Sequence, residues 1–163
     1  MNKQELQNEI NKTKEHLAKM EKMLAECEYE RWKPTPNGEY FIVSSGGANR
    51  CINARKTSLN AHYNFYNCFQ TREQAEAEAE KILVRRMLED IARRLDKGRK
   101  INWNDDLQSK FYIDYDSKKD EVGFCYIETC KAQGTVYCLD KSFKDVAIQE
   151  IGEEQLKKYL RGE

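Results

Sequence analysis

Arg50, Arg55, Lys56, His62, Tyr63 and Tyr66 set cations among aromatics in one short stretch. That combination holds phosphates by charge-assisted hydrogen bonds and offers ring faces on which bases stack. The stretch also suits a plainer role, in which Tyr63 and Phe65 alternate along a strand with one face buried while Arg55 and Lys56 keep a loop in water. A second basic group, Arg86, Arg93, Lys97 and Lys100 with Arg85, Arg94 and Arg99 beside it, reads as the solvated end of a helix.

Asp114, Asp116 and Asp120 invite a calcium loop, but the template fails when started at Asp114. Its sixth position needs glycine and has Lys119, and its twelfth needs a bidentate glutamate and has Cys125. These carboxylates read as parts of a charged hairpin. Cysteines stand at Cys27, Cys51, Cys68, Cys125, Cys130 and Cys138 without a CxxC pair, so buried free thiols are the expectation and no metal site is expected. Of the two histidines, His16 falls on a helical seam, so no triad can be assembled around it. No GxGxxG, P-loop or HExxH pattern occurs. The expectation is a binding module that is not an enzyme and uses no cofactor.

The 163 residues carry 28 basic and 28 acidic side chains, so no net field draws the chain to nucleic acid or to an anionic membrane. Hydrophobic residues at 39%, with nine Tyr and six Phe, suffice for a core. No apolar run approaches the ~20 residues that span a bilayer, and residues 1–30 are too charged for an export signal. The chain is expected in the cytoplasm.

Chemistry of this kind needs elements to position it. Leu6, Ile10, Thr13, Leu17, Met20, Leu24 and Cys27 recur at alternating four- and three-residue steps, a heptad seam with Ile10, Leu17 and Leu24 at a and Leu6, Thr13, Met20 and Cys27 at d. Glu9 and His16 then fall at g, with Lys14 and Glu21 at e. A parallel homodimer through Leu6, Ile10, Leu17, Met20, Leu24 and Cys27 is the expectation. The seam also fits a long helix folded back on its own domain.

Pro34 and Pro36 end that helix, which divides the chain into a coiled-coil helix over 1–30 and an α+β domain over 31–163. Strands are expected at 39–44 and 49–54 around the turn Ser45-Gly46-Gly47, a loop at 55–60, and a third strand at 62–69. Thr71-Arg72-Glu73-Gln74 has capping-box form, so a helix starts there and runs to a stop at Gly98. The plan then repeats, with strands at 111–116, 122–129 and 135–139. A helix capped by Asp140 or Ser142 follows, with an interruption at Gly152. Two tandem strand-strand-strand-helix units, 39–98 and 108–163, are expected, each sheet covered by its own helix.

Trp32-Lys33, Gly38-Glu39-Tyr40-Phe41-Ile42, the run from Asn67 to Glu76 and the run from Ile151 to Leu160 together resemble small uncharacterised phage and prophage proteins of Gram-positive bacteria. The resemblance covers nearly the whole chain and marks fold elements, so no catalytic residue comes with it. Relatives of this kind tend to carry an acidic first hairpin, where this chain has Arg50, Arg55 and Lys56. The resemblance implies a counter-defence binder in the host cell, either a protein inhibitor such as an anti-CRISPR or a sponge for a nucleotide immune signal. A structural or assembly protein that oligomerises through its coiled coil is the alternative.

Overall fold

The heptad stripe lies on one helix, α1, Lys3–Cys27, in the first of the two units into which the computed structural model divides, Met1–Lys33 and Pro34–Glu163. The structure describes residues 3–27, 31–45, 47–52 and 55–162, with α1 side chains given for Gln4 and for residues 6–20. Leu6, Ile10, Leu17 and Met20 are all exposed. The polar seam member Thr13 donates its hydroxyl to the Glu9 carbonyl at 2.8 Å, so that group is satisfied within its own helix. The side chains of Glu21, Leu24 and Cys27 lie outside the described residues.

The second unit opens with an antiparallel hairpin, β1 (Glu39–Ser44) and β2 (Gly47–Ile52), in the register Tyr40↔Cys51 and Ser44↔Gly47. The run Tyr40-Phe41-Ile42-Val43 is strand-forming, and Gly47 supplies a φ of 99° at the turn. Gly46, Asn53 and Ala54, also assigned to this hairpin from sequence, lie outside the described residues.

The loop expected at 55–60 and the strand expected at 62–69 are instead a helix, α2, Lys56–Asn64. Leu59, His62 and Tyr63 recur at helical spacing and turn inward together, Leu59 fully buried and the other two half-buried. Only Phe69 joins β1, in a single bridge to Phe41 with bonds of 3.0 and 2.9 Å.

Next comes α3, Arg72–Asp96, with the capping box formed in full: the Thr71 hydroxyl accepts from Gln74 N–H, and the Gln74 carboxamide oxygen accepts from Thr71 N–H. It ends at Lys97, which takes a left-handed φ of 51° just before Gly98. A second hairpin, β3 (Lys110–Asp116) and β4 (Glu121–Ile127), and two short helices, α4 (Phe143–Ile151) and α5 (Glu153–Arg161), complete the unit. Gly152, at φ 96°, separates the last two helices. Ser142 is the N-cap of α4 by position but makes no side-chain cap bond; the Asp140 carboxylate just before it accepts from the Ser142 N–H and hydroxyl at 2.9 and 2.7 Å.

The strand expected at 135–139 also shrinks to one bridge, Cys138 with Phe111. On the side away from β3, Leu139 N–H donates to the Asp96 carboxylate at 2.7 Å. The architecture is therefore mixed α and β with two separate two-stranded sheets among the described residues, in place of two three-stranded ones. Nor does each sheet have a helix to itself. α3 packs on β1 and β2 and also on α4 and α5, which in turn cover the second hairpin. Val84, Leu88, Ile91 and Ala92 of α3 meet Ile113, Val122, Cys138, Phe143, Ala147, Ile151 and Leu156 in the main core.

Lys110 is wholly buried, and its ammonium donates to the carbonyls of Asp105 and Glu128, each at 2.6 Å, above the Trp103 ring. This lysine pins the connector before β3 to the end of β4. No helix among the described residues is long and apolar enough to cross a membrane.

Candidate functional site

The C-terminus of α2 is closed by a Schellman motif: Asn67 N–H bonds the His62 carbonyl at 2.9 Å and Tyr66 N–H bonds the Tyr63 carbonyl at 3.1 Å. The left-handed position of this motif normally belongs to glycine. Here it is Tyr66, at φ 58°. A side chain there costs about 1–2 kcal/mol, and yet Tyr66 is 76% exposed and its neighbour Phe65 83% exposed. Burial therefore does not explain either aromatic.

The turn that displays them is held rigidly. With the Asn67 N–H committed to the helix end, its side chain turns to β1, where Oδ1 accepts from Val43 N–H at 2.7 Å and Nδ2 donates to the Val43 carbonyl at 2.9 Å. The Phe69 bridge fixes the following residues.

Between this turn, the tip of β1 and α3 lies an open cleft of about 590 Å³. Phe65, Tyr66 and Phe69 line one side with Val43, Ser44 and Ser45, and α3 supplies Glu78, Ile82 and Arg86. Among the described residues the Arg86 guanidinium has no ion-pair or hydrogen-bond partner, and the Glu78 carboxylate has none either. The volume falls in the range of roughly 300–1,000 Å³ typical of small-ligand pockets.

The structure places the sequence-derived candidates apart. Arg50 is committed to Glu39 at 2.5 Å, and that hydrogen bond holds the Glu39 carboxyl below its usual range. Arg55 caps α2 by position and Lys56 is its first residue; both are exposed, and neither lines the cleft. His62 Nδ1 is hydrogen-bonded at 2.9 Å to Tyr40, whose phenol burial pushes up to about 12. Tyr63 is half-buried on the inward side of α2. Tyr66 alone of the six reaches the cleft. Sequence reasoning passed over Phe65, Asn67 and Glu78, and took Arg86 only as one member of a solvated stripe. An aromatic followed by asparagine at a helix end was the available signal for the turn.

Two thiols are engaged elsewhere. Cys125 donates to the Asp114 carboxylate at 3.3 Å, and burial raises its pKa. That contact needs Gly123, because a Cβ there would stand 2.0 Å from Asp114 Oδ1. Cys138 donates to Asp96 at 3.3 Å, and burial pushes it up to about 12. Both are therefore protonated at neutral pH and poor nucleophiles. Asp116 and Asp120 serve the β3–β4 turn: Asp116 accepts from Lys118 N–H at 2.9 Å, and Asp120 accepts from the Tyr115 hydroxyl at 2.7 Å and from Arg161. Among the described residues no group of His, Cys, Asp and Glu side chains is placed to hold a metal ion.

Comparison with protein-family models, with curated proteins and with solved structures finds no match.

Proposed function

We propose that this chain is a non-enzymatic binding protein that pairs through α1 and takes its target in the cleft beneath the Phe65–Tyr66 turn. The observation that carries this reading is Tyr66, a bulky residue kept in a glycine conformation and displayed to solvent at the rim of a cleft. Strain of this kind clusters at binding and catalytic sites. The exposed stripe of Leu6, Ile10, Leu17 and Met20 supports self-association.

The resemblance to phage and prophage proteins supplies the setting: a counter-defence factor in the host cytoplasm that inhibits a defence protein or sequesters a nucleotide signal. Assembly through the coiled coil is the second reading, favoured by the same exposed stripe. Co-purification from host lysate, wild type beside a Phe65→Ala, Tyr66→Ala double variant, separates them. The binding reading expects a partner that the double variant loses, whereas an assembly protein retains its partners through α1. A substrate that the purified protein consumes would overturn the non-enzymatic part.

A further inference from the structure

We infer, resting on the reading of the cleft as the binding site, that its occupant is a nucleotide whose base carries an exocyclic amine, with phosphate on Arg86 and the amine edge on Glu78. Glu78, Ile82 and Arg86 follow one another at i, i+4 and i+8 on α3 and all line the cleft. At 1.5 Å per residue they make a stripe about 12 Å long. Among the described residues one end is a carboxylate without a donor and the other a guanidinium without an acceptor, and the middle is apolar.

A complementary ligand is a donor at one end, flat and apolar in the middle, and anionic at the other. A nucleotide with an amino-bearing base has these parts in that order. Phe65 supplies a ring face, and base stacking on such a ring tolerates any sequence. An acidic peptide satisfies Arg86 but is repelled by Glu78, a basic one the reverse, and a free inorganic anion uses neither the ring nor the acid. With Arg50 committed to Glu39 and with Arg55 and Lys56 off the cleft, Arg86 is the cation that meets the phosphate.

Isothermal titration of the full chain with AMP, CMP, UMP and inorganic phosphate decides the matter, beside Arg86→Gln, Glu78→Gln and Phe65→Ala, with circular dichroism as the check on folding. AMP and CMP are expected to bind, UMP more weakly, and phosphate alone not measurably. Arg86→Gln and Phe65→Ala each weaken binding about tenfold, by loss of a charge-assisted contact and of a stacking face. Glu78→Gln brings UMP level with the others. No heat from any nucleotide, equal affinity of the wild type for UMP, or binding indifferent to Arg86→Gln and Phe65→Ala overturns the inference. If no nucleotide binds while the Phe65→Ala, Tyr66→Ala pair still abolishes co-purification of a host partner, the nucleotide is wrong and the cleft stands as a binding site.

Discussion

The Asn67 side chain occupies the place of a strand. It exchanges two hydrogen bonds with Val43, at 2.7 and 2.9 Å, two residues along from the backbone pair Phe41–Phe69. Asn67→Ala deletes both bonds, and Asn67→Asp turns a carboxylate oxygen toward the Val43 carbonyl. Both are expected to destabilise the fold, by roughly 1–3 kcal/mol, with aspartate the worse at neutral pH. Urea unfolding measures this, and an alanine variant as stable as the wild type would show that the turn is held by something else.

Tyr66→Gly separates stability from binding. Relief of about 1–2 kcal/mol of left-handed strain, less about 0.5–1 kcal/mol for the greater freedom of unfolded glycine, leaves a net gain near 0.5 kcal/mol. The melting temperature is expected to hold or rise slightly while ligand or partner affinity falls. A variant that unfolds earlier would mean that the tyrosine is structural.

Stability is expected to fall in alkali. Cys138 rises from 9.0 to about 12 through burial, and Tyr40 from 10.0 to about 12, again mainly through burial. Each group holds its proton more tightly folded than unfolded. Its contribution is therefore complete below the unfolded pKa and is lost as pH climbs through the folded one. Urea midpoints are expected to be steady up to about pH 9 and to decline above it, with the thiol responsible for the first part of the decline. Cys138→Ala lowers stability at neutral pH but flattens that first part; an unchanged slope would remove Cys138 as its cause.

For α1 the expected state is a parallel dimer. In the heptad register Glu9 meets Lys14 and His16 meets Glu21 across the seam, and Cys27 at d faces its twin. An antiparallel partner would carry its Cys27 on the order of 30 Å away, whereas a disulfide needs Cα atoms within about 7 Å. Mild oxidation is expected to give a covalent dimer on a non-reducing gel that Cys27→Ser abolishes. Light scattering on reduced protein gives the state directly, and a monomer there would refute the seam as an interface.

What the sequence could reveal was local. The capping box at Thr71 and Gln74, the break at Gly152 and the two hairpins depend on residues near each other in the chain, and each was readable. α2 was missed because Leu59, His62 and Tyr63 straddle the point where a loop seemed to give way to a strand. Tyr66 concealed the helix end by standing where glycine announces one. The third strand of the first unit gave way because Asn67 N–H, the donor that would have continued the ladder past Phe69, closes a helix instead. The cleft is non-local in origin. Tyr66 and Arg86 come together only because α3 lies on the first hairpin, a contact that neither residue's neighbours in sequence foretell.

With no strand shared between the sheets among the described residues, α3 is the shaft that joins them, carrying the first hairpin directly and the second through α4 and α5. Glu78, Ile82 and Arg86 form one wall of the cleft, while Val84, which lies between Ile82 and Arg86, and Leu88 and Ile91 beyond them are seated in the core with Ile113 of β3 and Val122 of β4. A ligand that stiffens the first stretch of the shaft thereby steadies the second. Occupancy of the cleft becomes readable as slower amide exchange in a hairpin that the ligand never touches.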